Sequence, residues 1–154
     1  MEIKNKIIDT FHYSELEEET HSLYFSKSII KTIDFVNFDP LFEIVIENCI
    51  IENFLILSCW FKKGLIFKNN HILNFIDYQM GGHNKSPIII TGNIFNEFVN
   101  FFDCHFENDL EVQSNIFFKG TNLFGNLNEG FANTFNGLVK SEFNIGSLKI
   151  DGNG

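Results

Sequence analysis

Apolar and polar positions alternate along this chain in a pattern that restarts every ten to twelve residues. Val99–Asn108 (VNFFDCHFEN) and Leu110–Lys119 (LEVQSNIFFK) carry it most clearly, with Val99, Phe101, Cys104 and Phe106 answered by Leu110, Val112, Asn115 and Phe117. In most copies slots one, three and eight are apolar, slot five is polar or small, and slot six is Cys or Asn, the copies at Ile33, Ile76 and Thr121 being degenerate. Copies begin at Leu23, Ile33, Ile44, Phe54, Leu65, Ile76, Ile88, Val99, Leu110 and Thr121. A fixed period of this kind is the mark of a repeat architecture. Alternation predicts strands, the recurrent Asn, Gly and Asp predict turns between them, and sustained helical periodicity is absent.

One copy is too short to encircle a core that contains Phe, whereas two make a coil of roughly 22 residues separated from the next by about 4.8 Å. Copy n should therefore stack on copy n+2. Ile44, Leu65, Ile88 and Leu110 then fall in one column. The sixth slot gives Ser28, Cys49, Asn70, Asn93, Asn115 on one side and Phe38, Cys59, Gly81, Cys104, Asn126 on the other. The eighth gives Ile30, Ile51, Ile72, Phe95, Phe117 against Pro40, Phe61, His83, Phe106, Asn128. Stacked Asn can hydrogen-bond along the axis while stacked Phe and Ile fill the core. The expected fold class is all-β, a right-handed parallel β-helix (solenoid), with residues 1–22 as an N-terminal cap segment and 23–154 as the solenoid domain.

Two stretches stand outside the pattern. In the first 22 residues, Ser14 and Glu17 match a capping box with further Glu in the first turn, which predicts a short helix over 14–21. After Asn126 both FANTFNGL and LVKSEFNI fit partially, which predicts an inserted loop of about six residues. The motif returns at Leu148 and Ile150 and stops in mid-repeat. The expectation is therefore a chain truncated at this end, or an end covered by something else.

Cys49-Ile50-Ile51, Cys59-Trp60-Phe61, Asn93-Ile94-Phe95, Cys104-His105-Phe106 and Asn115-Ile116-Phe117 share a small-any-apolar core, with an apolar residue three positions before each. In this the stretch from Leu23 to Asn126 resembles the pentapeptide-repeat proteins, whose small and central apolar residues point inward. It departs from them where Ile44, Phe54, Ile88, Val99 and Leu110 stand in place of small residues. The resemblance implies a non-enzymatic scaffold, or in one branch an acidic rod that mimics DNA and binds topoisomerase.

Charge narrows the partners. The net charge is −9 and Arg is absent, so a phosphate backbone finds no guanidinium clusters, and direct nucleic-acid binding is not expected. No apolar run approaches a membrane span, and the N-terminus lacks a signal-peptide core, which points to a cytoplasmic protein. Cys49, Cys59 and Cys104 are odd in number. Cys59 and Cys104 should lie two coils, about 9.6 Å, apart, so free thiols are expected.

Candidate chemistry is thin. His71, His83 and His105 have no metal-ligand partner at short spacing, and no nucleophile elbow, phosphate loop or zinc motif occurs. No cofactor and no catalytic residue is assigned. Gly81-Gly82 reads as relief of backbone strain at an irregular turn. The informative positions are outward ones that are apolar and expected together on one side over successive coils: Tyr24, Val45, Ile66 and Ile89 at slot two, and Ile29, Ile50, Ile94 and Ile116 at slot seven. Val36, Leu57, Phe102 and Phe124 form a second stripe. Contiguous apolar surface marks an interaction site, covered by a second copy, another protein or the residues before Leu23. The expected function is a scaffold that binds a protein partner or forms a homodimer. The alternatives are a carbohydrate-active or carbohydrate-binding β-helix, against which this chain's lack of Arg and of a secretion signal counts, and an acidic DNA mimic, which needs rows of carboxylates that the repeats do not supply.

Overall fold

The computed structural model describes all 154 residues. It is a parallel β-solenoid. One sheet stacks seven strands, Glu2–Lys4, Ser22–Ser26, Glu43–Glu47, Leu65–Lys68, Ile88–Thr91, Leu110–Gln113 and Val139–Lys140; a second stacks six, Ile7–His12, Ile29–Asp34, Ile50–Leu55, His71–Ile72, Ile94–Phe95 and Ile116–Phe117. Two short two-stranded sheets, Ile76–Asp77 with Val99–Asn100 and His105–Phe106 with Thr134–Phe135, continue the other side of the coil.

The two-copy parity holds at every rung. Leu23 pairs with Ile44, Ile44 with Leu65, Leu65 with Ile88 and Ile88 with Leu110. Apart from His83 and Asn128 at slot eight, slots one, three and eight point inward, and with Phe11 and the three slot-six cysteines their apolar side chains form one cluster of 30 buried residues along the axis. Because coils repeat at about the thickness of a stacked ring, aromatics at one slot pack face to face. Phe95 lies on Phe117 at 4.8 Å and 8°, and Phe106 on Phe135 at 5.4 Å and 3°.

Slot five explains its own composition. Lys27, Asn37, Asn48, Ser58, Asn69, Met80, Gly92, Asp103 and Ser114 all have φ between +49° and +69°. The first nine copies turn their corner in the left-handed region at slot five, and the copy at Thr121 does so one residue later at Asn126; Asn and Gly reach this region most easily and β-branched residues resist it. The corner swings slot six toward the axis, where its polar side chain meets the backbone of adjacent coils.

The ladder begins at Glu2 rather than Leu23. Glu2 pairs with Tyr24, and Ile7 with Ile29, so residues 1–22 form a coil in register with the next. The helix expected over 14–21 is a single 3-10 turn, Tyr13–Glu15, whose capping box is His12 and Glu15: the His12 amide donates to Glu15 Oε1 at 2.8 Å. Past Thr121 the separation between stacked partners rises from 22 residues, Thr121 on Val99, to 29, Thr134 on His105. Seven residues are inserted there. Asn133 and Phe135, not Asn126 and Asn128, therefore continue the columns of Cys104 and Phe106.

Candidate interaction face

The slot-two residues form one column on the outside of the seven-stranded sheet. Tyr24, Val45, Ile66 and Ile89 are half-buried and stack directly, bounded by Glu2 on one end and Glu111 on the other. The Tyr24 hydroxyl donates to the Glu47 carboxylate, which pushes the phenol pKa up. This column is short and rimmed by charge.

The slot-seven residues form a longer column on the second sheet. It runs Ile7, Ile29, Ile50, His71, Ile94, Ile116 and Ile145, linked rung by rung. Exposure is 85% at Ile7, 51% at Ile29, 43% at Ile50 and 64% at Ile145. His71 keeps its place through a 2.9 Å hydrogen bond between Nε2 and Asn96 Oδ1. Two residues further along each strand lie Asp9, Lys31, Glu52, Leu73, Asn96 and Phe118. Lys31 pairs with Asp9 at 3.1 Å. A shallow groove of about 280 Å³ runs between the two columns over Ile8 and Ile30.

The eight expected face residues thus point outward but in two sheets, separated by the left-handed corner at slot five, rather than on one side. Residues before Leu23 cover neither column; they lengthen both, with Glu2 and Ile7. Sequence reading missed Ile7, hidden in a segment taken as a cap, and Ile145, beyond the seven-residue insertion. The signal for both was present as an Ile one position past a polar slot six, in Lys6-Ile7 and Asn144-Ile145. In the other stripe Val36, Leu57, Phe102 and Phe124 are half-buried, with Phe102 stacked on Phe131 at 4.8 Å.

No family model, curated protein or solved structure matches this chain.

Other groups with chemical potential are occupied structurally. All three thiols are unpaired and buried. Burial pushes Cys59 and Cys104 well up in pKa, and Cys104 Sγ donates to the Tyr78 carbonyl at 2.9 Å. Such thiols are poor nucleophiles. His83, in the Gly81-Gly82 turn, points outward at φ +51°, its ring 4.3 Å from that of Trp60 and 5.4 Å from that of His105. Its Nδ1 meets Glu107 Oε1 at 3.0 Å, and Lys85 binds the other oxygen, so that Lys85 first and His83 second hold the Glu107 carboxyl below its usual range. No three His, Cys, Asp or Glu side chains gather to hold a metal. An open acidic cleft of about 770 Å³ separates Glu17, Glu18 and His21 from Asp39 and Glu43. No helix is long and apolar enough to cross a membrane.

Proposed function

We propose that this chain is a divergent pentapeptide-repeat-like solenoid acting as a non-catalytic, cytoplasmic scaffold that binds protein through its apolar outer columns. The supporting observation is the slot-seven column: seven rungs with six Ile and no Asp, Glu or Lys, four of the Ile more than two-fifths exposed. Each such side chain contributes about 1.5–3 kcal/mol when fully removed from water. Small residues at slot six beside inward apolar slots support the pentapeptide-like reading, and buried reduced thiols support a reducing compartment.

The test compares captured proteins from cells expressing tagged wild type, a Val45→Lys/Ile66→Lys/Ile89→Lys variant and an Ile29→Lys/Ile50→Lys/Ile94→Lys variant. Circular dichroism verifies that each remains folded. The scaffold reading requires a protein retained by wild type and lost by at least one variant. Identical retention by all three would overturn it.

A further inference from the structure

We infer that copies of this chain associate head to tail, the first coil of one copy stacking on the last coil of another as a further rung of the same solenoid. The ground is the pair of open strand edges, which match one another. Glu2–Lys4 and Val139–Lys140 are the two outermost strands of the seven-stranded sheet; on the second sheet Ile7–His12 lies at one edge, and Ile145 is bridged beyond Ile116 at the other. An open edge is a template for pairing with another chain. The same corner follows both outermost strands, with φ +53° at Asn5 and +59° at Phe143. Residues 2–8 and 140–146 are therefore one strand-corner-strand unit written at both ends. Continuing the existing register across the junction sets Glu2 on Lys140, Ile3 on Ser141, Lys4 on Glu142, Ile7 on Ile145 and Ile8 on Gly146.

The outward pairs agree in charge. Glu2 meets Lys140 and Lys4 meets Glu142, and each pair extends an alternation already present within the chain, where Lys140 faces Glu111 and Glu47 faces Lys68. Ile7 and Ile145, the two most exposed members of the slot-seven column at 85% and 64%, cover each other. Head-to-head or tail-to-tail stacking would run the strands antiparallel and lose the match of corners.

The inward pairs agree in shape. Slot three is filled by Phe25, Ile46, Phe67, Ile90 and Val112 and then falls to Ser141; slot eight falls from Phe95 and Phe117 to Gly146. The last coil is left with an opening of about 440 Å³ lined by Leu123, Phe124, Leu127, Phe135, Ser141 and Lys149. At the other end the same slots hold Ile3 and Ile8, half-buried where the residues stacked on them are fully buried. Across the junction Ile3 closes the mouth of the opening at Ser141, and Ile8 covers Gly146. Main-chain pairing along two strand edges supplies the affinity, and these side chains supply the register. Slot six does not match: the Asn115 amide donates to the Asn144 side chain, but Lys6 offers the Asn144 amide no acceptor. The junction is therefore weaker than an internal rung.

Sedimentation equilibrium of untagged protein from about 1 to 300 µM reads the association. A head-to-tail contact does not close on itself, so the weight-average mass should rise past twice 17.8 kDa without a plateau there. Glu2→Lys and Lys140→Glu should each weaken association at least about tenfold with an unchanged circular-dichroism spectrum, and an equimolar mixture of the two, in which every mixed junction again pairs opposite charges, should associate as wild type does. Ile7→Cys mixed with Ile145→Cys should form a disulfide-linked dimer on mild oxidation while neither variant does so alone, since rung partners lie within disulfide reach and the native thiols are buried. A mass of one chain throughout, a plateau at two chains, a mixture that stays dissociated, or Ile7→Cys linking to itself overturns the inference. The Ile29→Lys/Ile50→Lys/Ile94→Lys variant leaves the junction intact and should associate as wild type does, so this inference and the scaffold reading fail separately.

Discussion

The two corners of each coil solve one problem differently. Behind every left-handed residue, slot six must satisfy backbone groups that the strand ladders leave over. On one side this is done by repetition. The amides of Cys49, Asn70, Asn93 and Asn115 donate to the side-chain oxygens of Asn70, Asn93, Asn115 and Asn144 at 2.8–3.0 Å, while those four side-chain amides donate to the carbonyls of Ile46, Phe67, Ile90 and Val112 at 2.7–2.8 Å. On the other side the same slot holds Cys59 and Gly81, then Cys104, whose thiol donates to the Tyr78 carbonyl, and Asn133, whose side chain accepts from the Cys104 amide and donates to the Leu123 carbonyl. That side also carries the Gly81-Gly82 turn, the outward His83 and the seven-residue insertion. A spine that fixes pitch along one corner leaves the other free to vary.

The largest effect expected from breaking this contrast is at the spine. Asn93→Leu leaves the buried amide of Asn70 and the carbonyl of Phe67 without partners, each worth about 1–3 kcal/mol, so a loss of about 3–5 kcal/mol is expected in urea unfolding. Gly82→Ala comes next. Gly82 has φ +90°, and an added Cβ would lie 2.2 Å from the His105 carbonyl oxygen. Strain of about 2–3 kcal/mol is expected, because the irregular corner, although variable, is closely packed.

Cys104→Ala should cost only about 1–2 kcal/mol, since it removes a small buried sulfur and one weak hydrogen bond. If it destabilises as much as Asn93→Leu, the two corners are equivalent and the spine is not special. Alkylation adds a kinetic readout to the same side. Burial raises the Cys59 and Cys104 thiols above their usual range, so native protein at about pH 8 should label far more slowly than unfolded protein, where three groups react.

The same contrast explains what could be read from the sequence. The regular corner was legible because each rung repeats one bond pattern, and the column of Ser28, Cys49, Asn70, Asn93 and Asn115 could be written down from spacing alone. Ile44, Leu65, Ile88 and Leu110 stack for the same reason. The irregular corner was not legible. Nothing in Gly81-Gly82-His83 states that a left-handed φ at His83 carries its ring outward, or that Asn133 replaces Asn126 after an insertion. Residues 1–22 were misread because Lys6 fills the small slot and the run of Glu after Ser14 imitates a helix start. Their inward Ile3, Ile8 and Phe11 do keep the pattern, and Phe11 stacks edge-on to Phe25 at 5.0 Å. The outward columns were legible as columns. Their division between two sheets was not, because the corner angle lies in the backbone dihedrals.

The smallest effect sharpens the comparison from outside. Where the irregular corner lacks an amide spine, its surface is fastened by charge: Glu107 joins Lys85 and His83 of the preceding coil. The folded carboxyl is held below the ordinary value of 4.5, chiefly by Lys85 and then by His83. A group whose folded pKa is depressed adds stability above its unfolded pKa and loses it as pH falls through the folded value. Wild type should therefore melt slightly above Glu107→Gln near neutral pH, and the gap should close on acidification below about pH 4.5. The expected difference is small because the pair is exposed and salt-screened. A gap that persists unchanged to about pH 3 would show that the substitution acts through packing of the turn rather than through charge.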